Sequence, residues 1–145
     1  MIGLIQRVRS ALVEVEEQVI GTIDSGLTLF LGIEKNDNKS NSDRLARKVL
    51  RYRAFSDHTG KMNRSLADIQ GGLMIVSQFT LAADTTKGLR ASFTSAASPM
   101  DAKEIYEAFV QTAKTLHPAV ETGIFGADMR VTLCNDGPVT FILRG

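Results

Sequence analysis

Four apolar segments rich in β-branched residues fill the start of the chain, Ile2–Val8, Ala11–Val15, Val19–Ile23 and Leu27–Ile33, with only two or three residues between them. Parallel strands need a crossover of a dozen or more residues, so strands joined this tightly are expected to be antiparallel. The breaks Glu16-Glu17-Gln18 and Asp24-Ser25-Gly26 have turn composition. A chain that begins this way is committed to a sheet before any helix is reached.

The rest of the chain supplies what packs on that sheet. After the polar loop Glu34–Asn41, Ser42 is a candidate N-cap for a helix running to about Tyr52. Leu45, Val49 and Tyr52 share one side of it, and Arg44, Arg47, Lys48 and Arg51 form a basic stripe on the other. A turn-rich stretch, Ser56–Gly72, precedes an apolar strand, Leu73–Phe79. Ala82–Ser98 has neither helical nor strand periodicity and reads as a long ordered loop, and such loops are commonly functional. A second helix follows: Ser98 caps it, Pro99 suits its first position and Asp101 complements its dipole. Ala102, Ile105, Tyr106, Phe109, Ala113 and Leu116 form its apolar stripe, and Pro118 ends the run. Two final strands, Arg130–Cys134 and Val139–Leu143, flank Asn135-Asp136-Gly137-Pro138, read as the tight turn between them. The predicted architecture is a single α/β domain of α+β type over residues 1–145, a mostly antiparallel, barrel-like sheet with two packed α-helices.

Composition narrows the function classes. With 145 residues, 43% hydrophobic, and 17 Lys+Arg against 16 Asp+Glu, the chain has the core and the balanced charge of a globular domain rather than a disordered one. The longest apolar stretches, around Leu27–Ile33 and Leu73–Val76, are far below the ~20 residues a helical membrane span requires. Met1–Arg7 lacks the features of a signal peptide, so a cytoplasmic location is expected. A lone cysteine, Cys134, and two distant histidines, His58 and His117, offer no disulfide and no metal-ligand spacing, so no metal and no cofactor is expected. Cys134 reads as a buried small hydrophobe and both histidines as surface residues. Near-neutral charge argues against coating nucleic acid by bulk charge.

Three features stand above this background. Ser77-Gln78-Phe79-Thr80 closes an apolar strand with hydroxyl and amide groups, where backbone N–H groups leave the ladder; those are the parts of an oxyanion hole, or simply a polar strand end. Asn135–Thr140 is either an ordinary turn or, with a cis Gly137-Pro138 bond, a recognition element that projects two carbonyls together. The arginines and lysines Arg7, Arg9, Arg44, Arg47, Lys48, Arg51, Lys87 and Arg90 are either solvated charges or, if they converge, a polyanion surface. No Gly-rich phosphate loop, Gly-x-Ser-x-Gly elbow or classical triad is present.

Ser77-Gln78-Phe79-Thr80-Leu81-Ala82-Ala83-Asp84 together with Asn135-Asp136-Gly137-Pro138-Val139-Thr140 resembles the D-aminoacyl-tRNA deacylase family, also called D-tyrosyl-tRNA deacylases. Met1–Val8, Gly32–Lys35, Phe55–Asp57, Gly60–Asn63 and Ser98-Pro99 also look like family positions, and Asp136 falls at a variable one. The resemblance implies a homodimeric ester hydrolase that removes D-amino acids, and mischarged glycine, from the 3′ end of tRNA. It implies that Ser77, Gln78, Phe79 and Thr80 line the pocket while Gly137-Pro138 of the partner chain reads the chiral centre. Arg7 would orient that Gly-Pro element. Backbone N–H groups near Phe79 and Thr80 would hold the oxyanion, and rejection of an L side chain, rather than a grip on D, would admit glycine.

Thr80 as a nucleophile would need a base, and neither motif contains one with a clear claim. The preferred reading is assistance by the ribose 2′-hydroxyl of the tRNA, with Thr80 orienting. Arg44, Arg47, Lys48, Arg51, Lys87 and Arg90 are the candidate tRNA contacts, and neither DNA nor a membrane is expected as a partner. Two rival readings remain: a non-catalytic tRNA- or RNA-binding module, and a small-molecule esterase or amidase with Thr80 as nucleophile.

Overall fold

A computed structural model describes all 145 residues. The two leading strands are one: β1 runs over Ile2–Val15, because Ser10, in the gap between them, still pairs with Cys134. A two-residue turn, Glu16-Glu17, both at positive φ, leads into β2, Gln18–Ile23, antiparallel to β1. Positive φ at both positions matches the hand of hairpin that strand twist favours. β3, Gly26–Gly32, returns along the other half of β1, with Ile2 opposite Gly32 and Val8 opposite Gly26.

The helices come next. α1 spans Lys39–Arg51 and α3 Pro99–Leu116. Between them lie a small β4–β5 hairpin, Phe55–Ser56 with Met62–Arg64, a single-turn α2, Leu66–Ile69, and β6, Gly72–Ser77. β7 is Val120–Thr122 and β8 is Arg130–Arg144. The main sheet runs β2-β1-β3-β6-β7, with β8 on β1. α1 lies within the connection from β3 to β6, and α3 within that from β6 to β7. Both of those strand pairs are parallel, as connections of that length permit. The wrapping sheet is barrel-like, as expected, and mostly antiparallel at its start; the parallel pairs and the third helix are additions.

Four expectations are corrected. Asn38, not Ser42, caps α1: its side chain accepts from the N–H groups of Ser40 and Asn41, and the Asn41 side chain returns a bond to the Asn38 N–H. Ser42 lies inside the helix, buried, its hydroxyl without a partner. The apolar strand ends at Ser77, and Phe79–Ala82 is a 3-10 turn. Leu116, the last residue of the apolar stripe expected on α3, is 41% exposed at the helix end, outside the core that the stripe otherwise meets. Asn135–Pro138 is no hairpin turn, because both final segments pair with β1 and form one strand. Gln6 opposes Thr140 and Val8 opposes Asn135, so residues Asp136 to Val139 bulge out opposite Arg7 alone.

Burial follows from this layering. Leu27, Leu29 and Leu31 of β3 face Leu45 and Val49 of α1 and Phe109 of α3 in the larger core, while Met74 and Val76 of β6 join Val8 and Val13 inside the curl of the sheet. β3 and β6 approach so closely at Gly26 that a Cβ there would stand 1.9 Å from the Gly72 carbonyl oxygen.

The capping geometry makes a paired prediction. Asn38→Ala is expected to lower stability by about 1 kcal/mol in urea unfolding, whereas Ser42→Ala, which removes a buried hydroxyl with no partner, is expected to cost nothing or to stabilise. In the β4–β5 loop, the Asp57 carboxylate accepts from the Thr59 hydroxyl and the Asn63 amide, and from the N–H groups of Thr59 and Lys61. These donors, the two side chains first, lower its pKa from 3.8 to about 2. A depressed carboxylate pKa adds stability above the unfolded value, which is lost as pH falls from 3.8 through about 2. An NMR titration is expected to place Asp57 near 2 and to move it upward in Asn63→Ala.

Candidate active site

The chemistry-bearing motif sits where β6 runs out of partners. Met74 to Val76 are buried, Ser77 is the last residue paired with β3, opposite Leu31, and the Gln78 N–H donates to the Leu31 carbonyl at 2.8 Å. The chain then turns into the 3-10 segment. The first N–H groups of a helical turn have no partner within it, and those of Phe79 and Thr80 take none from the surrounding loops or side chains. The Gln78 side-chain amide donates to Thr80 Oγ1 at 2.5 Å, which ties the two polar side chains together.

A cavity of about 660 Å³ opens beside this strand end. Ser77, Gln78 and Phe79 line it together with Val76 and Leu31 from the sheet, and Thr80 does not. The long loop supplies Phe93, Ala96 and Ala97, and the segment before and into β8 supplies Phe125, Met129 and Val131. The Phe79 and Phe93 rings meet at 5.2 Å between centroids, tilted by 50°, and both are partly exposed. No His, Lys, Arg, Asp or Glu lines the cavity. The nearest perturbed group in the core, Tyr106, has its pKa raised by burial to about 12 and donates to the Ile75 carbonyl, a structural task.

The loop Ala82–Ser98 is ordered as expected. The Ser95 hydroxyl donates to the Ala82 carbonyl, the Lys35 N–H to the Ser95 carbonyl, and the Ala97 N–H to the Ile33 carbonyl. Asp84 and Ser92 exchange backbone bonds and close the tip that carries Lys87 and Arg90. The Asp84 carboxyl is held below its usual range by the Thr86 N–H and hydroxyl.

The Gly137-Pro138 bond is cis, and both residues are exposed on the bulge of β8. Arg7, directly opposite, donates through Nε to the Asp136 carbonyl at 3.0 Å and through Nη1 to the Ala54 carbonyl at 2.8 Å. The bulge contributes nothing to the cavity of its own chain. Within one chain the two motifs are therefore separate surfaces.

The remaining candidates fall out unevenly. Arg44, Arg47, Lys48 and Arg51 are all exposed on α1, and none has a carboxylate within salt-bridge distance; Lys48 donates to the Arg144 carbonyl. Lys87 and Arg90 stand on a different element. His117 is buried rather than superficial, its Nε2 2.7 Å from the Gly71 carbonyl, because the end of α3 turns inward onto the β6 entry. His58 is exposed. Cys134 is exposed rather than buried, since it points away from the curl of the sheet. Phe93, Phe125 and Met129 had no signal beyond the length of the loop, because spacing does not tell which distant segments meet at a sheet edge.

A family model described as D-Tyr-tRNA(Tyr) deacylase matches residues 4–144. Proteins named D-aminoacyl-tRNA deacylase from Haemophilus ducreyi and Cellvibrio japonicus are 58% and 56% identical over 144 residues, covering 99% of this chain and 99% of each relative. Among solved structures, one described as c-Myc DNA Unwinding Element Binding Protein superposes with a TM-score of 0.95 at 34% identity, covering 100% of this chain and 99% of that one. Another, described as a probable eukaryotic D-amino acid tRNA deacylase, reaches 0.88 at 12% identity over 98% and 97%, and shows the shared fold. These matches define a class of ester hydrolases. The chain belongs to the D-Tyr-tRNA(Tyr) deacylase family.

At Gly137, φ is +128°, and a Cβ there would stand 2.9 Å from Val139 Cγ2 and 3.0 Å from Arg7 Nη2. Gly137→Ala is expected to cost on the order of 1–3 kcal/mol in urea unfolding, the range for a side chain forced into a disfavoured backbone region. An unchanged midpoint would contradict this crowding.

Proposed function

We propose that the protein hydrolyses the ester bond of D-aminoacyl-tRNA, and of mischarged glycyl-tRNA, releasing the free amino acid and the tRNA. The observation that carries the reading is a strand end whose Phe79 and Thr80 N–H groups take no partner from the surrounding loops or side chains, beside a cavity with no side-chain acid or base. Such a site suits acyl transfer in which the protein positions the ester and stabilises the oxyanion, one donor being typically worth ~10²–10³ in rate. Water adds to the ester carbonyl and gives up a proton, the N–H groups hold the resulting oxyanion, and as the intermediate collapses the C–O bond breaks and the 3′ oxygen of the ribose leaves, taking up a proton as its hydroxyl. The adjacent 2′-hydroxyl assists, and Thr80, bonded to Gln78 outside the cavity lining, orients rather than attacks.

Selection is assigned to Gly137-Pro138 of a second copy in a homodimer. Three features support this: the element is exposed, it is fixed by Arg7, and it is absent from the cavity of its own chain. β8 also has a strand partner on one side only and exposes Ile142 by 65%, a face that a second copy would cover. A rigid Gly-Pro wall that leaves no room for an L side chain admits D-amino acids and glycine alike. Arg44, Arg47, Lys48 and Arg51, with Lys87 and Arg90, are the proposed phosphate contacts, and tRNA is the proposed partner.

Deacylation of matched D-Tyr-tRNA and L-Tyr-tRNA tests this. The D-ester alone is expected to be lost, and Thr80→Ala is expected to keep most of the rate; abolition in Thr80→Ala would favour a covalent intermediate. Arg47→Glu with Arg51→Glu is expected to raise KM and to flatten its salt dependence, each lost phosphate contact changing the slope by about 0.7–0.9. If neither ester is hydrolysed and only RNA binding responds to the arginines, the unpartnered basic stripe makes the chain a non-catalytic RNA-binding module.

A further inference from the structure

Arg7 carries a mostly buried charge, its side chain 13% exposed, and the Asp136 carboxylate is its one acidic partner, with Oδ2 3.3 Å from Arg7 Nε. That contact is an ion pair; the two hydrogen bonds of the guanidinium go to the carbonyls of Asp136 and Ala54, which orient it without neutralising it. A guanidinium withdrawn from water depends on a counter-charge to hold one geometry. The same carboxylate lies 3.5 Å from Nε of Arg9, which is 76% exposed, so Asp136 joins two arginines that point to the same side of β1. Residue 136 is thus fixed at both its main chain and its side chain immediately before Gly137.

We infer that Asp136 is a positioning residue for discrimination between D- and L-esters, acting through Arg7 to hold Gly137-Pro138 in place. The coupling is direct, because Arg7 Nη2 abuts Gly137 closely enough to meet a Cβ there at 3.0 Å. A guanidinium free to change rotamer would withdraw that support, and the wall that excludes L side chains would yield. The inference rests on the proposed deacylase reading, and it assigns a task to a motif position that looked interchangeable in the sequence.

Asp136→Asn keeps the shape and removes the charge, and Asp136→Glu keeps the charge. The D-to-L ratio of kcat/KM is expected to fall about tenfold in Asp136→Asn, which removes the counter-charge of a mostly buried guanidinium, and to recover largely in Asp136→Glu. A merely structural carboxylate would lower thermal stability and leave the ratio as it was, and that result would overturn the inference. The Arg7 Nε–H resonance, assigned by its loss in Arg7→Lys, gives a readout independent of turnover. It is expected to be distinct in the wild type and shifted or broadened in Asp136→Asn; an unchanged resonance likewise overturns the inference. Absence of D-ester turnover in the wild type would instead count against the deacylase reading, with the resonance still reporting on the Asp136–Arg7 link.

Discussion

β1 forms backbone ladders with β2, β3 and β8, and every other feature of the molecule is placed relative to it. A strand with neighbours on both edges along nearly its whole length has to be longer than any of the separate apolar segments from which it is built. Its N-terminal half lies between β3 and β8, and its C-terminal half between β2 and β8. This shared use forces the sheet to wrap, which creates the second, inner core around Val8, Val13 and Met74. The same wrapping puts the start of β8 opposite the end of β6, where the cavity opens.

Along β1 the ladder with β8 is irregular at Arg7 and again at Arg9, and the surplus residues of β8 fall at Arg7. Residues on either side of it keep their pairing, so the surplus residues of β8 have nowhere to go but outward. An extended ladder would have absorbed Gly137 and Pro138 into the sheet; the bulge presents them to solvent instead. The other motif owes its exposure to the opposite circumstance. β6 stops pairing at Ser77 because the chain turns away from the sheet, and the Phe79 and Thr80 N–H groups beside the apolar cavity take no partner from the surrounding loops or side chains. One element is made available by an insertion and the other by a strand end, and the two lie on separate surfaces of the chain. The proposed dimer is what would join them.

The helices were legible for local reasons. Ser98, Pro99 and Asp101 state the start of α3 in three adjacent positions, and the structure uses all three. At α1 the same logic chose Ser42, when Asn38 forms the reciprocal cap with Asn41. Two polar residues of equal capping propensity four apart cannot be ranked without knowing where the preceding strand releases the chain. Cys134 and His117 were misplaced for a related reason: each stands near the end of a predicted strand or helix, where the flanking residues, Leu133 and Asn135 or Leu116 and Pro118, do not reveal which side of the element faces the core. Thr28, an alternate position in an otherwise apolar strand, is fully buried with its hydroxyl unpartnered, because β3 is covered on both faces.

By itself the sequence determined the identity and local form of the elements: tight strand pairings at the start, a strongly capped second helix, an ordered aperiodic loop, and two motifs that resemble one family. Those are properties of short windows, where spacing, capping and turn chemistry act within a few residues. Only the tertiary structure decided that the last two strands are one, that Asn135–Pro138 is a bulge clamped by a side chain 129 residues away in the chain, and that Phe93 and Phe125 share a cavity with Ser77. It also decided that the site is without a side-chain acid or base. Register and convergence are set by which distant segments share a ladder or a core, and no local pattern encodes that choice.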